Sequence, residues 1–333
     1  MLLSSMLDHY GSVTPLILLM IALAINIYTG QLTLFSEHKS HPVNRLERLI
    51  DWFDLKLNRD NRSPTELKIR GGLTAILILF LSGICGLGVV WLSHNLPLAW
   101  ILEVVLLLTL LDQSNIYKTV VKINTTLGDH GIEAARQSVV GLTIESIYKM
   151  DSFSIARTAI EALATSLVKR LLGPVFYYIL FGFLGLTIYH AITILDIKVG
   201  HKNSRHQYFG IIASRINTIV LLPPSLLAGC LILIASLFVP TASPVKSFKS
   251  IFKYGNKFYN RHLAIALSAF AGAFDLALGG PRKFSQKRNN EPWIGAGTAK
   301  ATHQDIHRSL YLYATVCLIN ILMISTFILI EYL

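Results

Sequence analysis

Six apolar stretches of near-spanning length govern what this 333-residue chain can fold into: residues 13–29, 71–92, 98–111, 171–195, 216–239 and 310–333. A helix rises about 1.5 Å per residue, so roughly 20 apolar residues cross roughly 30 Å of hydrocarbon. Only a helix does so in a single segment with every backbone group bonded internally. The expected fold is therefore an all-α integral membrane protein with about six transmembrane helices. The stretch 98–111 is short and calls for tilt or local thinning of the bilayer. Pro97 lies just before it and predicts a tight hairpin through Ser93-His94-Asn95. Composition agrees, with 53% hydrophobic and 15% charged residues, against about 25% charged in soluble domains.

The formal net charge of +11 follows the same logic. Segments 36–70, 113–170 and 240–309 hold 26 of the 30 Lys and Arg residues. With six spans and the N-terminus outside, all three fall on one side. The positive-inside bias makes that side the cytoplasmic face. No nucleic-acid motif accompanies the charge, and anionic lipid headgroups are the expected partners. Lys198, Lys202, Arg205 and Arg215 break the pattern, because they follow the fourth span. Either that span is re-entrant and the cluster belongs to the cytoplasmic face, or it is a mildly basic external loop. The first apolar run has no basic segment before it and no clear small-residue cleavage site after it, which predicts a retained span. Cys85, Cys230 and Cys317 sit inside apolar runs without metal-ligand spacing, so packing roles are expected.

Three connecting segments carry helical patterns of their own. In 44–57, Leu46, Leu49, Ile50, Phe53 and Leu57 recur at helical spacing between charges, suiting an amphipathic helix on the membrane surface. Asp151-Ser152 ahead of Ile155, Ala159, Leu163 and Leu167 reads as a capped helix. The run 263–280 is apolar but rich in Ala, Gly and Ser, predicting a buried or re-entrant helix at the cytoplasmic face. Pro223-Pro224 inside the fifth span predicts a kink or break.

No P-loop, dinucleotide fingerprint, HExxH, nucleophile elbow or CxxC pair is present. Chemistry must come from polar groups at the membrane edge, where each ionisable side chain needs a reason. Asp196, between Leu195 and Lys198, either holds a metal–phosphate complex or forms an ion pair at a helix end. Arg215 either clamps a phosphate or snorkels to headgroups. Glu161 stands on the 155–167 helix, where a solvated face is the plain alternative to a site. His41 is either a binding or a structural histidine. Gly279-Gly280, ahead of Arg282 and Lys283, either cradles an anion or makes a plain turn. Asp305 and Arg308 have the spacing of a local helical pair.

Taken in order, these landmarks resemble the CobD/CbiB family of membrane proteins of cobalamin biosynthesis. The resemblance rests on His41-Pro42-Val43, Ala135-Arg136, Arg157-Thr158-Ala159-Ile160-Glu161, Gly173-Pro174-Val175-Phe176, Leu195-Asp196, Ser214-Arg215, Gly279-Gly280-Pro281, Pro292-Trp293-Ile294-Gly295 and Asp305-Ile306-x-Arg308. It covers roughly residues 41–310 and implies one membrane domain over 1–333. It further implies joining of aminopropanol, or its phosphate, to a carboxyl group of adenosylcobyric acid, with ATP and Mg²⁺. On that reading Asp196 and Asp305 hold Mg²⁺, while Lys202, Arg215 and Arg308 face phosphates. Glu161 serves as base or metal partner, and His41, Gly279 and Gly280 complete the substrate contacts.

The chain also departs from the family pattern. Thr165, Ser166 and Lys169 replace polar and acidic residues, Asn217 and Thr218 replace an acidic pair, Leu226 replaces an arginine, and Leu267 a glutamate. A second implication is therefore a non-catalytic regulatory or scaffold protein, similar to the AmpE-type branch, that keeps the fold without the chemistry.

Overall fold

The computed structural model describes residues 13–29, 42–59, 61–96, 98–143, 150–200, 205–255, 261–283, 288–289 and 292–332. In chain order the α-helices are α1 (Val13–Thr29), α2 (Pro42–Leu57), α3 (Pro64–Asn95), α4 (Ala99–Leu110), α5 (Gln113–Thr125), α6 (Gly131–Val139), α7 (Ser152–Ser166), α8 (Gly173–Val199), α9 (Ile211–Ala235), α10 (Pro244–Tyr254), α11 (Arg261–Ala273) and α12 (His303–Tyr332). π-helical turns at Thr126–His130 and Leu167–Leu172 prolong α5 and α7. Among the described residues, strand is confined to β1 (Leu278–Gly279), β2 (Arg282–Lys283), β3 (Arg288–Asn289) and β4 (Trp293–Ile294), paired β1–β4 and β2–β3, both antiparallel.

Among the described residues, five helical runs are long and apolar enough to cross a membrane: Pro64–Ser93, Ala99–Asp129, Ser152–Val199, Ile211–Ala235 and His303–Ile330. The all-α membrane class holds. Three expected spans change: 98–111 is only the start of a 31-residue run, 171–195 is broken at Gly182, and α1, with 17 residues, is shorter than the rest. Cys85 and Cys230 are exposed and Cys317 is partly so, which corrects the expected buried packing. The chain divides into two compact units.

The first unit comprises residues 1–112, 173–221 and 327–333. Its α8 is two helices, not one. Gly182 adopts φ 59°, ψ −149°, a region essentially closed to side-chain-bearing residues. The Tyr177 and Tyr189 rings stack with centroids 5.4 Å apart, whereas one straight helix would hold them about 18 Å apart. Gly185 presses on the Tyr177 carbonyl and Gly173 on the Tyr189 ring. The chain therefore reverses at Gly182, and 183–199 runs back along α3: Leu184 and Thr187 meet Gly86, while Phe209, just past the helix, meets Gly71. The re-entrant alternative calls for such a reversal. The reversal brings Lys198, Arg205 and Arg215 to the α2 end of the unit. There Lys198 bonds Asp51 (2.9 Å) and Glu47 (3.3 Å), and Asp54 takes Arg205 (2.9 Å) and His206 (3.1 Å).

The apolar stripe of α2 packs on protein. Ile50 is fully buried with Ala75, Ile78, Ala191, Leu195 and Val199, and Leu46, Leu49 and Phe53 close the cluster. Helix α9 runs through Pro223-Pro224 without a break. Pro224 cannot bond the carbonyl four residues back, at Val220, and the Tyr177 hydroxyl donates to that oxygen instead at 2.8 Å.

The second unit comprises residues 113–172 and 222–326. Helix α7 starts as expected: the Asp151 carboxylate accepts from Ser154 N at 2.8 Å, and Ile155, Ala159 and Leu163 are fully buried. Helix α11 is buried through small residues, as expected, but ends at Ala273 rather than 280, where Asp275 takes φ 55°. Its 13 residues span about 20 Å, too short to cross the bilayer.

Candidate functional site

The second unit assembles the best-defined polar site around Glu161. Its side chain is buried, with 7% exposure, although it had been open to reading as a solvated helix face. Oε1 accepts the Gly279 backbone N–H at 2.6 Å. That amide is presented because Gly279 and Gly280 take φ 74° and 84°, a left-handed path that glycine follows without a Cβ penalty. The Trp293 ring lies where a Cβ at Gly280 would sit, and Gly279 pairs with Trp293 across β1–β4.

Arg157, one turn ahead of Glu161 on α7, completes the arrangement. Its guanidinium carbon is 5.5 Å from the Trp293 ring centroid, and it donates to Ser154 Oγ at 2.9 Å and to the Ala299 carbonyl. A buried carboxylate, a backbone amide and a stacked cation thus converge from α7 and the β1–β4 turn. Sequence reasoning picked out Glu161 and the glycines. It left Arg157 and Trp293 as resemblance landmarks, since a separation of 136 positions hides their contact.

Asp305 and Arg308 pair at 3.5 Å, as their spacing predicts. Asp305 Oδ2 also accepts from Thr302 N (2.8 Å) and Thr302 Oγ1 (2.9 Å), the reach-back half of a capping box at the start of α12. Arg308 further lines a cleft of about 760 Å³ with His303, His307, Tyr311, Asn124 and Thr241. No local sequence pattern marks His303 or His307 as lining a cleft.

In the first unit, Asp196 Oδ2 accepts from Asn217 Nδ2 at 2.6 Å, and Asp196 packs against Gly200. Asn217, one of the departures from the family pattern, is thus the direct partner of the surviving acid. Arg215 is exposed. His41 and Lys202 lie outside the described residues. Among the described residues, no three His, Cys, Asp or Glu side chains stand together as a metal cage. Asp196 uses one carboxylate oxygen and Asp305 both within the protein, so either fits Mg²⁺ only in company with phosphate oxygens, a common mode for that ion.

Fold and site together define a helical, multi-span membrane protein with a buried carboxylate held at a di-glycine turn. The profile of the CobD/Cbib protein family matches residues 19–313, and the chain belongs to that family. It is 29% identical to the cobalamin biosynthesis protein CobD of a Sinorhizobium species, over 92% of this chain and 96% of that protein. It is also 29% identical to the protein of that name in Brucella melitensis, over 90% and 92% of the two chains. The Photorhabdus laumondii protein of the same name is 25% identical, over 83% and 86%. No solved structure matches the chain.

Proposed function

We propose that this protein acts in cobalamin biosynthesis, joining aminopropanol or its phosphate to a carboxyl group of adenosylcobyric acid through an amide bond. The observation that carries the reading is the family match across residues 19–313, with Glu161 buried and fixed at the Gly279–Gly280 turn inside the matched region. Amide formation needs an unprotonated amine and an activated carboxyl. Glu161 is the group we assign to hold or take the amine proton. Arg308 and the adjoining cleft suit a phosphate-bearing substrate. ATP with Mg²⁺ would supply the activation of the carboxyl group. The basic ends of the helices face the cytoplasm of the bacterial inner membrane in this reading, with Lys198–Arg215 on the same side as Arg62, as the reversal at Gly182 favours.

A second reading, a non-catalytic scaffold or regulator, is favoured by one observation: Asn217, which stands in place of an acid of the family pattern, is hydrogen-bonded to Asp196 at 2.6 Å. Membranes carrying the protein, supplied with adenosylcobyric acid, aminopropanol phosphate, ATP and Mg²⁺, separate the two. The enzyme reading expects the amide product by mass spectrometry and its loss in Glu161→Gln protein that remains folded. No product from well-expressed, folded protein would sink it and favour the scaffold.

A further inference from the structure

Helix α10 (Pro244–Tyr254, PVKSFKSIFKY) carries three lysines and no acid. Its residues sort into three stripes at helical spacing. Ser247 and Ser250 are buried against α11, where Ser247 Oγ donates to the Ala269 carbonyl at 2.9 Å and Gly272 meets both serines. Val245, Phe248 and Phe252 form a second stripe, exposed at 62%, 52% and 78%, and the two phenylalanine rings lie 4.7 Å apart. Lys246, Lys249 and Lys253 form the third, with Lys246 bonded to Asp275 at 3.0 Å and all three exposed. Packing within the unit explains the serine stripe alone.

We propose that α10 lies in the membrane interface, with Val245, Phe248 and Phe252 immersed among acyl chains and Lys249 and Lys253 bound to anionic headgroups. The apolar-beside-basic arrangement is what an in-plane helix requires. Its place in the chain agrees: α9 is apolar enough to span and ends at Ala235, and α10 begins at Pro244. The residues between reach at most roughly 30 Å, which keeps α10 near the rim of the bilayer. Helix α2 differs, because its apolar stripe is already covered by α3 and α8. The identity of the lipid follows from charge: a lysine near an anionic leaflet favours association by roughly five-fold.

Full-length protein, with Cys85, Cys230 and Cys317 replaced, is labelled through Phe252→Cys with an environment-sensitive fluorophore, with Lys249→Cys as the comparison site. It is reconstituted in phosphatidylcholine–phosphatidylglycerol bilayers bearing a nitroxide on one lipid or the other. The expected result is that lipid nitroxides quench the label at position 252 several-fold more than aqueous iodide does, with the phosphatidylglycerol nitroxide dominating. K249Q/K253Q should then lower the phosphatidylglycerol preference several-fold. Iodide-dominated quenching at 252, cross-linking of two copies through that position, or a preference untouched by K249Q/K253Q would each overturn the assignment.

Discussion

Replacing Glu161 with alanine removes the acceptor that fixes the Gly279–Gly280 turn. The bond is short, at 2.6 Å, and the carboxylate is 7% exposed. Hydrogen bonds to charged groups contribute about 1.5–3 kcal/mol, and a buried donor left without a partner costs about 1–3 kcal/mol. Removing the glutamate also relieves the desolvation of a buried charge, which offsets part of that loss. The turn has little freedom to find another partner, because Gly280 is wedged against Trp293 with φ 84°. A net destabilisation of about 1–3 kcal/mol is expected for Glu161→Ala. Glu161→Gln keeps an oxygen acceptor and loses only the charge, so it should cost about 1 kcal/mol. Thermal unfolding of purified protein in mild detergent, followed by tryptophan fluorescence, checks the order: alanine variant lowest, glutamine variant between, wild type highest. Identical melting of Glu161→Ala and wild type would refute the reasoning, since the buried amide would then not depend on that carboxylate.

The same melting assay tests three further expectations. Gly182→Ala places a Cβ at φ 59°, ψ −149° and should cost about 1–3 kcal/mol; the same change at Gly88, where a Cβ meets open space, should cost far less. Tyr177→Phe should cost about 1 kcal/mol by orphaning the Val220 carbonyl. Adding Pro224→Ala, which restores a helical N–H to that oxygen, should recover part of the loss. Asp151→Ala should weaken the start of α7 by about 1 kcal/mol, and Asp151→Asn less. The hydrogen bond from Ser154 holds the Asp151 carboxyl below its usual value, so the cap is complete above that value and is lost as pH falls through the lowered one. Hydrogen exchange at the first turn of α7, measured against pH, should therefore show fraying on the acid side only.

The helices were legible because a bilayer leaves apolar length few other meanings. The capped start of α7 and the small-residue burial of α11 could also be read directly, as Asp151 and the Ala264–Ala273 stretch carry their causes locally. The reversal at Gly182 could not, because a glycine within an apolar run looks the same in a straight helix and in a hairpin. The basic cluster 198–215, a misfit to simple alternation, was its only trace. Burial of Glu161 depends on the β1–β4 turn 118 residues away, and no local pattern announces that contact. The amphipathic stripe of α2 was visible, but whether protein or lipid covers such a stripe is decided by tertiary packing. The lysines of α10 look like loop charge in sequence, because only the burial of Ser247 and Ser250 separates its three stripes.

Growth of a bacterium lacking its adenosylcobinamide-phosphate synthase, on medium where only cobalamin made from adenosylcobyric acid supports it, tests the functional claim most directly. Expression of this chain should restore growth, and Glu161→Gln protein, present in the membrane at the same level and folded, should not. Failure of the wild-type chain to restore growth at good expression would contradict the account.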